Sequence, residues 1–381
     1  MRRALLLLVA GLVAAAALAG TSSAAKRMFV GFQDDRSFQL LPNRAALLDR
    51  AEDAHARIVR SFALWYELAP TRPARAADPA DPAYQFGRLD ELVRNARERG
   101  MDVMLTIWGT PGWAGGGPNH NRAPKSKDIR AFAHALAKRY SGSFQGLPRV
   151  RFYTVWNEAN TGRFLFPQYA PGSTRPVSPR LYATLYRAAY KGIKSGNRRA
   201  KVAIGLTSPR GRPRVNHKEK DQLYPLDFAR GVARACAGRC RFQAYAHNPY
   251  PTTPRANATQ RVKAPSINLR NLSTLERTVK QAFRLKRMPR IWITEMGFRT
   301  NPPNPQGMSR AKQAANLRTS LLMAKRDPRV DMYIWFIFQD DAGAPKPTTW
   351  ESAGGVLDGA GRAKPSYRAF AKLAKPIRKP Y

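Results

Sequence analysis

The stretch FYTVWNEAN, residues 152–160, opens on an unbroken run of aromatic and β-branched residues and then reaches Trp156-Asn157-Glu158. Such a run predicts a strand, and the carboxylate falls where that strand should stop. A charge there serves either solubility or an active site. Working outward, seven further β-rich runs share the same character: RMFVGFQ (27–33), ARIVRSFALWY (56–66), MDVMLTIWG (101–109), AKVAIGLT (200–207), RFQAYAHNPY (241–250), RIWITEMGF (290–298) and DMYIWFIFQ (331–339). Between them lie stretches whose apolar residues recur at three and four, as amphipathic helices require. They include 86–100, 128–142, 178–196, 271–287 and 309–327; the first places Leu89, Leu92, Val93 and Ala96 on one side.

Eight strands alternating with helices predict a (β/α)8 TIM barrel, read as a single domain over 26–381. An open doubly wound sheet is the competing arrangement, but it wants a Gly-rich phosphate loop after the first strand. Here FVGF is followed by QDDRSFQLLPNR, which has no G-x-G-x-x-G. The Pro- and Ala-rich segment 69–85 reads as an exposed loop before a helix. No linker marks a second domain.

Residues 1–25 read as a secretory signal peptide, which makes the expected location extracellular. Arg2 and Arg3 precede an apolar run from Ala4 to Gly20, and small residues at Ser23 and Ala25 suit cleavage before Lys26. The run is short of the ~20 apolar residues that a membrane span needs. In an exported chain the two cysteines, Cys236 and Cys240, are candidates for a local disulfide. No His/carboxylate cluster has metal-ligand spacing, and no cofactor is expected. The 381 residues carry 66 Lys and Arg against 25 Asp and Glu, a net charge of +41. One reading is electrostatic adsorption to an anionic polymer or cell surface, without specific nucleic-acid recognition. The other is a compositional origin, because Arg, Ala, Pro and Gly are abundant together and the charge is spread along the chain.

In a barrel of this type functional groups sit at the C-terminal ends of the strands. The fourth run ends in Glu158 and the seventh carries Glu295, two of only nine glutamates in the chain. Strands four and seven lie across the barrel mouth from each other, so the two carboxylates can face one another. Such a pair is what glycoside hydrolysis needs: one protonated to serve the leaving oxygen, one ionised to attack the anomeric carbon. A separation of ~5–5.5 Å gives retention, and a wider one admits water and gives inversion.

The motifs VWNEAN (155–160) and WITEMGF (292–298) resemble the acid/base and nucleophile motifs of clan A glycoside hydrolases, retaining enzymes on (β/α)8 barrels that include families 5 and 39. The resemblance extends to Arg60 in IVRSFALWY, to HNPY with His247 and Tyr250, to Trp335, and to the tail GGVLDGAGRAKPSYRAF. It implies a retaining β-glycosidase acting by double displacement on a β-linked oligo- or polysaccharide. It further implies that Glu158 is the general acid/base, Glu295 the nucleophile and Asn157 a partner of the sugar 2-hydroxyl. Tyr250 would orient Glu295, and Arg60 would help hold it ionised. His247 is read as a further substrate-binding residue.

Aromatic residues gather at the same strand ends, where sugar C–H faces can stack on them. Trp335, Trp108 and Trp113 are expected to line the cleft. The Gly-rich segment 109–121 lacks the phosphate-loop pattern and reads as a cleft wall. Two alternatives share these features: a basic barrel that binds glycan or anionic polymer without hydrolysis, and a transglycosylase using the same carboxylates. The chain is expected to be a monomer.

Overall fold

The computed structural model describes residues 28–375 except 213, 345 and 347; the leader read over 1–25 lies outside the described residues. Eight strands follow one another around a closed parallel barrel: β1 (Phe29–Gln33), β2 (Ile58–Leu64), β3 (Asp102–Trp108), β4 (Phe152–Val155), β5 (Lys201–Thr207), β6 (Ala244–His247), β7 (Ile291–Met296) and β8 (Val330–Phe336). Closure is explicit in β1, where Phe32 pairs with Val59 of β2 on one side and Trp335 of β8 on the other. The fold class read from the alternating runs is therefore the one observed. Each observed strand falls inside its sequence run, apart from Val330, one residue before the eighth.

The α-helices among the described residues are α1 (Arg44–Asp53), α2 (Trp65–Leu68), α3 (Gly87–Glu98), α4 (Ser126–Arg139), α5 (Ser178–Gly196), α6 (Pro225–Cys236), α7 (Leu272–Ala282), α8 (Arg310–Arg326) and α9 (Pro365–Ala374). The apolar face anticipated for α3 is the face it buries: Leu89, Leu92, Val93 and Ala96. α1, α2, α6 and α9 lie outside the stretches whose periodicity predicts helices. α6 begins on a proline, which lacks only an N–H that a first helical turn leaves unpaired. At its other end Cys236 and Cys240 form the disulfide expected of them.

Strand alternation sorts side chains into two cores. Ile58, Met104, Phe152, Trp292, Met332 and Ile334 fill the barrel interior. Their strand neighbours Val59, Val103, Leu105, Tyr153, Ile293, Tyr333 and Trp335 join the outer core. Two residues further along β2, β3, β4 and β7, the interior face changes character: Arg60, Thr106, Thr154 and Thr294 are all buried. A polar layer thus caps the apolar one at the C-terminal end of the barrel, and its side chains bond to one another. Arg60 Nε donates to Thr106 Oγ1 at 2.9 Å, and the Thr106 and Thr154 hydroxyls meet at 2.7 Å. This layer is the floor of the site.

Candidate active site

Above the floor opens a cavity of about 860 Å³, reached by side chains from the ends of many strands. Glu158, Asn157, Glu295, Tyr250 and Trp108 line it together, so both expected carboxylates and three of their expected neighbours share one space. Glu158 stands three residues beyond β4, where the chain turns sharply. Trp156 has φ 71° and Glu158 φ 31°, both in the left-handed region that side chains avoid. Trp156 is locked by burial and by an indole N–H donated to the Phe164 carbonyl at 2.6 Å. Glu295 is still within β7. The pairing of β7 with β8 shifts register between Ile293 and Met296, and Glu295 reaches the cavity at that interruption.

The two carboxylates sit in opposed environments. Arg60 Nη1 lies 2.5 Å from Glu295 Oε1, and the Tyr250 hydroxyl donates to Glu295 Oε2 at 3.1 Å. Glu158 has no ion pair among the described residues. Its Oε1 accepts from Asn248 Nδ2 at 3.0 Å, and Thr294 Oγ1 donates to Asn248 Oδ1 at 2.6 Å. Burial, then repulsion from Glu295, pushes the Glu158 carboxyl up to about 7, against the lowering effect of the Asn248 bond. Burial, followed by the two carboxylates, holds the Tyr250 hydroxyl well above the usual tyrosine range, so it donates as the neutral phenol. This is a pair of like groups pushed apart in character by their surroundings, the arrangement that lets one be an acid while the other is an anion.

Arg60 lies beneath the cavity and not in its lining. Besides Glu295 its guanidinium meets Gln33 Oε1, Thr106 Oγ1 at 2.9 Å, Asn157 Oδ1 at 3.0 Å and the Thr294 carbonyl at 3.3 Å. Fully buried under the floor, it does not meet the cavity; it fixes Glu295 and Asn157. Asn157, with Oδ1 taken by Arg60, is left with its amide N–H groups to offer the cavity.

Three expected residues are elsewhere. His247 continues the outward phase of β6: Ala244 and Ala246 are interior, and the fully buried His247 bonds Thr207 Oγ1 at 2.8 Å and the Ile267 carbonyl at 3.2 Å. Burial pushes it down to about 4, a neutral structural histidine. The next residue, Asn248, is the one that holds Glu158. Trp335 likewise takes the outward phase of β8, fully buried with its indole N–H on the Gly354 carbonyl at 3.1 Å. Its neighbour Phe336 lines the cavity instead. Trp113 turns away, donating to the Ala69 carbonyl at 2.8 Å and packing edge-on to Trp65. The Gly-rich segment does supply part of the cleft wall, through Pro118, Asn119 and His120.

Further aromatic contacts complete the wall, and of these Trp350 was not anticipated from the sequence. The His120 ring stacks on Tyr66 at 4.0 Å between centroids. Gly109 makes room for that pair: its φ is 84°, and a Cβ there would lie 2.5 Å from the Tyr66 ring. Trp350, beyond β8, packs on Tyr250 at 4.6 Å between centroids. Gly297 lets this side close up, since a Cβ there would lie 2.2 Å from the Phe336 carbonyl oxygen. Among the described residues no group of three His, Cys, Asp or Glu could hold a metal ion. No helix among them is long and apolar enough to cross a membrane.

Residues 88–377 match the model of a family of unknown function, DUF5722. No curated protein matches the chain. Similar solved structures include a family 39 glycoside hydrolase from Bacteroides cellulosilyticus WH2, at 20% identity and a TM-score of 0.63 over 92% of this chain and 64% of that one. This chain thus spans less than two thirds of that enzyme's length. A glucosidase from Croceicoccus marinus is similar at 16% identity and TM-score 0.68, covering 92% of this chain and 67% of that one. The GH5_18 protein from Streptomyces cattleya, in complex with GlcNAc, is similar at 18% identity and TM-score 0.63, covering 93% and 83%. At these identities the likeness is one of fold.

Proposed function

The chain belongs to the DUF5722 family, and from its site we propose that it is a secreted retaining β-glycosidase acting by double displacement. The observation that carries the proposal is the contrast between two carboxyls in one cavity. Glu295 is ion-paired to a buried arginine, and Glu158 is unpaired and raised to about 7. The fold shared with glycoside hydrolases of families 39 and 5 supports the same reading.

In the first step Glu295 Oε attacks the anomeric carbon while Glu158 gives its proton to the glycosidic oxygen. The carbon–oxygen bond breaks, the aglycone leaves as an alcohol, and a glycosyl ester remains on Glu295. That ester has no charge, so the repulsion that raised Glu158 is gone, and Glu158 is left as a carboxylate able to act as base. It takes a proton from water as the water oxygen bonds to the anomeric carbon. The ester bond breaks and Glu295 returns as the anion. Asn157, its carbonyl fixed by Arg60, presents N–H donors to a sugar hydroxyl beside the reacting carbon. Trp108 offers a face for a sugar ring.

The test is a panel of aryl β-glycosides with the purified mature protein, following the first-formed product by proton NMR. The β-anomer is expected; an α-anomer formed first, or no turnover across neutral and acidic sugars, would overturn the proposal. The pH profile gives a second check. Glu158 must be protonated for the first step, so kcat/KM should fall as pH rises through about 7. The Asn248 bond favours the ionised form, so Asn248→Ala should move that falling limb to higher pH. A limb that moves down, or stays in place, would contradict the assignment of the limb to Glu158.

A further inference from the structure

We propose that the cleft is built for an acidic glycan, with Arg299 as the anchor for an oxyanion carried on a sugar, a uronate carboxylate or a sulfate ester. The inference rests on the glycosidase reading for the use of the cleft and goes beyond it in naming the substrate's charge. Arg299 follows β7 four residues after Glu295 and lines the same cavity. It is half-buried, with its guanidinium 5.1 Å over the Trp350 ring. Trp350 packs on Tyr250, and Tyr250 bonds Glu295, so the cation is linked to the reacting centre by consecutive side-chain contacts. The guanidinium's one hydrogen bond among the described residues runs from Nη1 to the Thr348 carbonyl at 2.7 Å. No described carboxylate lies within ion-pair distance of it, although Glu351 lines the same cavity.

In a chain with 66 basic and 25 acidic residues most cations must lack a partner, and on an open surface water solvates them. Arg299 differs because its surroundings have taken part of that water away. Its burial lowers its affinity for the proton, with no charge compensating. A guanidinium with donors to spare is matched by a planar carboxylate or a sulfate, which it can hold through two parallel bonds. Around the same cavity Arg163, Arg210 and Arg255 also make no ion pair with a described carboxylate, although Arg163 is near enough to Glu158 to favour its ionised form; the Arg210 and Arg255 side chains bond only backbone carbonyls. An anionic chain would meet cations on more than one wall. Neutral sugars would leave Arg299 with one bond in a half-dry place, which is costly.

The test measures binding to the turnover-blocked Glu295→Gln protein, so that it does not depend on which bond is cut. The probes are hyaluronan, chondroitin and heparosan oligosaccharides, each beside its carboxyl-reduced form, with chondroitin sulfate beside chondroitin to separate sulfate from uronate. Adding Arg299→Gln should weaken binding of the preferred acidic series by about tenfold to a hundredfold. It should leave the carboxyl-reduced form unaffected. Arg318→Gln, exposed on α8, makes the same change in net charge and should have little effect. The inference is overturned if no acidic series binds more tightly than its reduced or unsulfated counterpart, or if Arg299→Gln and Arg318→Gln weaken binding equally. Either result would leave the anomer and trapping experiments free to uphold the glycosidase reading.

Discussion

Glu295→Gln is expected to lower kcat/KM on the best aryl β-glycoside by about 10⁴-fold or more, the scale on which removal of an attacking group acts in other covalent enzymes. The amide is nearly isosteric and can still accept from Tyr250, so the loss reports nucleophilicity more than shape. It also removes the anion that Arg60 faces, inside a layer where the guanidinium is fully buried. Asn157, Gln33, Thr106 and the Thr294 carbonyl remain as its acceptors, so the variant should fold. Thermal unfolding and near-UV spectra beside the kinetics separate a lost reaction from a lost fold. An active variant with intact spectra would remove Glu295 from the reaction.

Glu158→Ala should show a loss that depends on the leaving group. General acid catalysis contributes about 10²- to 10⁴-fold, and it matters where the departing oxygen is a strong base. Sugar and alkyl leaving groups should therefore suffer most of that loss in the first step. Aryl groups with acidic phenols leave unaided and should glycosylate Glu295 at near the original rate, after which the missing base slows the second step. The expected signature is a burst of phenol on activated substrates, with a low KM, followed by slow turnover. Equal losses for alkyl and activated aryl substrates would contradict the role assigned to Glu158.

The parts of this account that were legible in the sequence were those with local signals. Eight short β-rich runs separated by helical stretches specify a parallel sheet covered by helices, and the lack of a Gly-rich phosphate loop after the first run, in QDDRSFQLLPNR, favours the closed barrel over an open doubly wound sheet. Glu158 and Glu295 were legible because charged residues stand out against the apolar runs. What failed was phase. Trp335 and His247 were assigned to the cleft because they occur at the right strand ends, yet a strand sends successive side chains to opposite faces. The cleft therefore received Phe336 and Asn248. Reading β6 strictly from Ala244 and Ala246 places residue 248 on the interior side, so Asn248 could have been found. Glu295 shows why the rule alone was not enough, since a register shift in β7 accompanies its turn into the cavity. Trp350 and Arg299 had no signal at all: they meet over the cleft because separate loops after β7 and β8 converge there.

The two glutamates, and not the fold, carry the central claim, and the most direct measurement is the covalent intermediate itself. A 2-deoxy-2-fluoro-β-glycosyl fluoride of the sugar that the panel selects should inactivate the native protein with time. Digestion and mass spectrometry should then place the sugar on Glu295 within IWITEMGF (291–298). Label on another residue, or turnover of substrate with inversion and no trapped sugar, would contradict the account.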